Sequence, residues 1–69
     1  MNIKPGDLVE LLSHSRRYDE GLKLTEFRTG EVGVVMNLTT GKGAAFVDVL
    51  LPQGILNTLD RLVKRVEER

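Results

Sequence analysis

The sequence predicts an all-β fold built mainly from antiparallel strands. Three segments, near residues 7–12, 31–38 and 44–51, have the apolar spacing and the bounding turns that are typical of strands. Turn signals rich in Gly, Pro and Thr recur at short intervals after residue 30. The chain has 69 residues, and domains usually hold roughly 100 to 200 residues. We therefore expect one small domain over residues 1–69.

The first strand follows a turn signal, Lys4-Pro5-Gly6-Asp7, and runs through the apolar segment Leu8–Leu12. From Ser13 to Gly30 the sequence becomes polar, and its few apolar residues follow neither helical nor strand periodicity. This segment of eighteen residues is expected to form a long first loop. Loops of this length are generally functional or disordered.

The next two strands are predicted to pair as an antiparallel hairpin. The first alternates Val32, Val34, Met36 and Leu38 on one face, and Gly33 would permit a β-bulge or a sharp coiling of the strand there. The turn Thr39–Gly43 then leads into the apolar segment Ala44–Leu51. We expect three side chains of this hairpin in the core, namely those of Val34, Phe46 and Val49.

A second turn, Pro52–Gly54, precedes a third meander strand predicted at Ile55–Leu59. The remaining segment, residues 57–69, is ambiguous because its apolar residues also lie at helical spacing with charges between them. One interpretation is a helical turn followed by a short strand. The other is a continuous C-terminal helix.

Several features together resemble small SH3-like barrels. They are the opening Pro-Gly-Asp-Leu-Val, the long first loop, Gly-x-Val-Gly-Val-Val from Gly30, the strand ending in Pro-Gln-Gly, and the closing Leu-Asp-Arg-Leu-Val-Lys-Arg-Val. The resemblance spans nearly the whole chain and is closest to the short SH3-like proteins of tailed bacteriophages and to KOW-like modules. It implies a barrel of about five strands, with a long first loop and a helical turn or short helix, at Leu59–Leu62, before the last strand.

The resemblance implies a shape and not a ligand. The chain has no tryptophan and three aromatic residues, Tyr18, Phe27 and Phe46. An aromatic groove for proline-rich peptides is therefore not expected.

The composition disfavours polyanion binding and excludes disulfide and thiolate metal sites. Ten basic and ten acidic residues give a formal net charge of zero, so the chain lacks the long-range field that polyanion binders usually carry. The chain has no cysteine for a disulfide or thiolate metal site. Its N-terminus lacks an apolar signal core, and we expect a cytoplasmic protein without membrane association, in the host cytoplasm if phage-encoded.

No pattern of residues indicates catalysis, a cofactor or a metal. His14 is the sole histidine, and the carboxylates are dispersed, so no metal-ligand set or catalytic constellation is expected. Gly41-Lys42-Gly43 lacks the spacing and the following helix of a phosphate-binding loop and fits a hairpin turn. We therefore predict a protein that is not an enzyme.

The function expected is that of a non-catalytic protein-interaction module, a phage-type accessory or assembly factor that docks on a larger protein or forms a homo-oligomer. An alternative is a KOW-like module that binds RNA or DNA through the 13–29 loop, where Tyr18 beside Arg17 could stack on a base. The apolar segment Phe46–Leu51 could exceed what so small a core covers. The candidate partner-binding residues are Arg16, Arg17, Tyr18, Phe27, Arg28, Val47 and Leu50.

Overall fold

A computed structural model describes residues 3–66 and shows a small all-β protein. The predicted strands are confirmed at β1, β4 and β5, and the third meander strand is β6. In chain order the elements are β1 Leu8–Leu11, β2 Ser15–Tyr18, β3 Leu24–Phe27, β4 Val32–Gly41, β5 Ala44–Leu51, β6 Gly54–Leu59, a 3₁₀ turn Asp60–Leu62 and β7 Val63–Arg65.

Five strands form one antiparallel sheet in the order β6-β5-β4-β1-β7, and β2 and β3 form a separate two-stranded hairpin. The expected closed barrel is not observed, because the end strands β6 and β7 do not pair within the described residues and the sheet is open. The β2–β3 hairpin lies beside β6 instead. Arg17 Nη2 donates to the carbonyl oxygen of Asn57 on that strand at 3.1 Å.

The long first loop predicted between Ser13 and Gly30 is in fact this ordered hairpin. For the C-terminal segment, the interpretation as a helical turn plus a short strand is confirmed, because the 3₁₀ turn leads directly into β7. β7 pairs with β1, with Leu11 opposite Val63. The last part of the predicted segment, residues 67–69, lies outside the described residues.

The core lies on the inner face of the five-stranded sheet. Phe27 from the hairpin and Ile3 complete it, and the buried hydrophobic residues are Ile3, Val9, Leu11, Phe27, Val35, Val47, Val49, Leu51, Leu56 and Val63. Among the three predicted core residues, Val49 is confirmed, whereas the predictions for Val34 and Phe46 are wrong, because Val34 is half-buried on the outer face of β4 and Phe46 is exposed. Phe46 lies on the outer face of β5, whereas its neighbour Val47 points inward and is fully buried.

The β-bulge of β4 lies between Val35 and Asn37, and not at Gly33 as predicted. Gly33 is buried on the inner face of β4, where the backbone of β5 comes close. A methyl group at Gly33 would lie 2.5 Å from the carbonyl oxygen of Leu50 and 2.7 Å from Val49 Cγ1. Only glycine fits this position without moving β5.

Candidate functional site

The β2–β3 hairpin has two different faces. Its register places Arg16 opposite Glu26 and Tyr18 opposite Leu24. Because side chains alternate along a strand, these four residues share one face, which is turned away from the core. We call Arg16, Tyr18, Leu24 and Glu26, together with Leu22 at the turn, the hairpin face. Its three apolar members are exposed, with 65% of Tyr18, 79% of Leu22 and 43% of Leu24 accessible to solvent.

The opposite face attaches the hairpin to the rest of the molecule. Phe27 is 2% exposed and is part of the core. Arg17 spans the gap to β6 with its hydrogen bond to the Asn57 carbonyl, and its Nη1 also donates to the Arg16 carbonyl at 2.9 Å. Phe27 and Arg17 thus anchor this side of the hairpin, and the hairpin face is turned to solvent.

The turn between β2 and β3 is built on Asp19. Its Oδ1 accepts hydrogen bonds from the backbone N–H groups of Gly21 at 2.9 Å and Lys23 at 2.8 Å. The Asp19 carbonyl accepts a further bond from the Leu22 N–H. This arrangement holds Leu22 at φ +61°, a left-handed backbone conformation that residues other than Gly, Asn and Asp rarely adopt. An apolar side chain therefore projects into solvent from a strained position at the tip.

Glu26 is the electrostatic centre of the hairpin face. Its Oε2 lies 3.3 Å from Arg16 Nε and 3.5 Å from His14 Nε2, and its Oε1 lies 3.7 Å from Arg28 Nη2. With His14 neutral, the charges of Arg16 and Arg28 are balanced by the carboxylates of Glu26 and of Glu31, which also interacts with Arg28. The arginines expected to meet a partner are thus partly neutralised by a carboxylate from the neighbouring strand.

A second hydrogen-bond network fixes the base of the hairpin. Gln53 Nε2 donates to the Glu26 carbonyl at 2.9 Å and to Glu31 Oε1 at 2.8 Å. The same Glu31 oxygen accepts from the Arg28 backbone N–H at 3.0 Å. The Arg28 N–H bond, followed by the Gln53 bond, lowers the pKa of Glu31 below its ordinary value, because both stabilise the ionised carboxylate.

The structure does not bring the seven predicted partner-binding residues together in one place. Arg16 and Tyr18 lie on the hairpin face and Arg28 lies beside it, whereas Leu50 is exposed on the outer face of the five-stranded sheet. Arg17 is exposed but is used within the molecule. Phe27 and Val47 are in the core, so their side chains are unavailable to a partner and their assignment as partner-binding residues is wrong.

Sequence reasoning missed three members of this site, Leu22, Leu24 and Glu26. A signal for them was present, because Asp19 and Gly21 form a turn signal and Leu24–Phe27 has a short alternation of apolar and polar residues. The charges on both strands obscured the pairing, since Arg16 and Glu26 stabilise the hairpin without contributing to an apolar pattern.

Within residues 3–66, no group of three or more His, Asp or Glu side chains is arranged to hold a metal ion. The side chains around Glu26 include one histidine and two arginines, and they supply charge and hydrogen-bond donors. The arrangement can therefore present an apolar tip, flanked by paired charges, to another molecule.

Comparison with protein-family models, with curated proteins and with solved structures gave no match to this chain. Within the described range, no helix combines the length and the apolar character needed to cross a membrane.

Proposed function

We propose that the protein is a non-catalytic interaction module that docks on a larger protein through the hairpin face. The observation that carries this proposal is the exposed apolar group Tyr18, Leu22 and Leu24 at the free end of the hairpin. Leu22 is held in a left-handed conformation by the Asp19 turn, and that geometry keeps its side chain in solvent. Strained backbone that the surrounding structure maintains is often associated with function.

The chemistry of the face indicates the partner. Tyrosine and arginine are the residues that most often dominate binding energy at protein interfaces, and Tyr18 and Arg16 lie on the same face of β2. The apolar tip requires an apolar recess. Arg16 lies on the same face and Arg28 beside it, and their guanidinium groups favour carboxylates at the rim of that recess.

The nucleic-acid alternative rests on the same two residues, since an aromatic ring beside a guanidinium suits a stacked base and its phosphate. Glu26 opposes it, because a carboxylate 3.3 Å from Arg16 Nε would face any phosphate bound there. The formal net charge of zero also removes the nonspecific attraction that such proteins use. Binding of a protein is therefore the better supported function.

More specifically, we propose that the protein is a small SH3-like protein of the bacteriophage or KOW-like type and that it acts as an accessory or assembly factor in the cytoplasm. One feature supports it: a 3₁₀ turn, Asp60–Leu62, precedes the last strand, as the resemblance implies. The open sheet differs from the closed barrel of that type.

The test compares capture by the wild type with capture by Leu22→Asn and Tyr18→Ser, using each immobilised protein and lysate of the source cells. Asparagine tolerates the left-handed backbone, so Leu22→Asn removes the apolar side chain and keeps the turn. We expect both variants to lose a protein that the wild type captures. Lys42→Ser, at an exposed position in the β4–β5 turn, is the matched control and retains it. Equal capture by all four proteins would contradict the proposal.

The alternative is tested separately with Glu26→Gln. Removing the carboxylate raises the local positive charge, so a nucleic-acid site on this face would bind single-stranded RNA or duplex DNA more tightly, with a steep dependence on salt. Fluorescence anisotropy at low and at physiological salt measures this. We expect no salt-dependent binding by the wild type. Tight binding that Glu26→Gln strengthens would replace our proposal with the nucleic-acid function.

A further inference from the structure

A row of apolar side chains crosses the outer face of the five-stranded sheet, away from the hairpin face. Leu8 lies opposite Val34, Val34 opposite Leu50, and Leu50 opposite Ile55. The Val66 N–H donates to the Leu8 carbonyl at 2.8 Å and so continues the same line beyond β1. We call these five residues the apolar row. Ile55 is 58% exposed and Leu50 44%, so much of the row faces solvent.

The charged residues beside the apolar row have oppositely charged or hydrogen-bonding neighbours on the same face. On one side Glu10 lies opposite Lys64. On the other side Asp48 Oδ1 accepts a hydrogen bond from Asn57 Nδ2 at 2.8 Å, on the neighbouring strand. Glu10, Asp48 and Lys64 sum to a charge of −1, so the face needs no strongly charged partner. It requires another apolar surface.

We propose that a second copy of this chain covers the outer face, with the two apolar rows packed against each other. The row is centred on Val34 of β4, the middle strand of the sheet. A two-fold axis that passes above Val34, parallel to the strands, brings Leu50 over the partner's Leu8 and Ile55 over the partner's Val66. The row is therefore complementary to itself, which a symmetric dimer requires.

Charge and area are both consistent with a second copy. Glu10 and Asp48 lie on opposite sides of the row, so this two-fold axis does not place one carboxylate on another. The formal net charge of zero means that two copies do not repel each other at long range. A standard interface buries about 800 Å² of each partner. That is about a sixth of the 5068 Å² surface of this molecule.

The test is the oligomeric state in solution, measured by sedimentation equilibrium over a range of protein concentrations. We expect the wild type to dimerise and Leu50→Lys to weaken the dimer by at least about tenfold, as charges in the centre of an interface do. Ile55→Lys, at a more exposed position on the end strand β6, is a second variant that leaves folding intact. Leu22→Lys, on the hairpin face, is the control and remains dimeric.

Three results would overturn the inference. They are a monomeric wild type at all concentrations, a dimer that survives both Leu50→Lys and Ile55→Lys, and a dimer that Leu22→Lys dissociates. A circular dichroism spectrum of each variant shows that it is folded. Because this surface shares no residue with the hairpin face, loss of the dimer leaves the proposed docking function standing, and the reverse also holds.

Discussion

The close approach of β4 and β5 at Gly33 predicts a large effect from a single added methyl group. A Cβ there would lie 2.5 Å from the Leu50 carbonyl oxygen, 2.7 Å from Val49 Cγ1 and 2.9 Å from Leu51 Cγ. Real Cβ atoms essentially never come closer than 3.0 Å to such neighbours. The nearest of the three is backbone, so relief requires a shift of β5 itself and not a change of rotamer.

The size of the effect follows from the packing. Overfilling a well-packed core costs about 1–3 kcal/mol, and occasionally more. Displacement of a strand that supplies three core residues, Val47, Val49 and Leu51, places Gly33→Ala at the upper end of that range. Small domains are stable by about 0.05–0.15 kcal/mol per residue, which is roughly 3–10 kcal/mol for this chain. We therefore expect Gly33→Ala to lose a large part of the free energy of unfolding.

Urea denaturation followed by circular dichroism measures this loss, and Gly41→Ala in the same strand is the control. Gly41 has no positive φ, and a methyl group added there would have no heavy atom within 4 Å beyond its chain neighbours. Its substitution is expected to be neutral or stabilising by less than about 1 kcal/mol. If Gly33→Ala unfolds within about 0.5 kcal/mol of the wild type, the packing of β4 against β5 described above is incorrect.

Three further predictions concern the hairpin. Phe27→Ala should destabilise the protein by about 3–5 kcal/mol in thermal or urea unfolding, because Phe27 is the buried anchor of the hairpin, and a loss below about 1 kcal/mol would contradict that role. Leu22→Gly should raise the melting temperature slightly, since glycine relieves the left-handed strain, and a lower melting temperature would show that the leucine side chain stabilises the fold. The pKa of Glu31 is lowered on folding, so its contribution to stability is complete above the ordinary value of 4.5 and is lost as pH falls through the folded pKa. Glu31→Gln should therefore be less stable than wild type at neutral pH, with a difference that shrinks on acidification, and a difference independent of pH would refute the assignment.

The sequence allowed the sheet to be predicted better than the site. β1, β4, β5 and β6 follow from apolar spacing and turn residues, because both are local properties of the chain. Within β5 the prediction for Phe46 is wrong, since Phe46 and Val47 are both apolar and hydrophobicity alone does not distinguish them. Asp48 distinguishes them, because a charged residue is expected on the outer face. Phe46 and Leu50 share that face with it, so Val47 and Val49 are the inward residues.

The hairpin and the open edges of the sheet could not be predicted from the sequence, because they depend on side-chain contacts that hydrophobic periodicity does not reveal. Arg16 pairs with Glu26 across the hairpin and Phe27 reaches the core from β3, and neither contact follows from hydrophobic periodicity. The place of the hairpin beside β6 also involves contacts that are distant in sequence, such as the hydrogen bond from Arg17 to the Asn57 carbonyl across forty positions. The apolar row could not be predicted without the register of the paired strands, because its five members come from five separate segments of the chain.

Site-specific photo-crosslinking at position 22 tests the central claim, that the hairpin face docks on another protein, most directly. A photoreactive amino acid replaces Leu22 in one variant and Lys42, in the exposed β4–β5 turn, in the other. After irradiation in lysate of the source cells, we predict a discrete protein adduct from position 22 that is absent from position 42. No adduct at position 22, an adduct common to both positions, or an adduct with nucleic acid would contradict the claim.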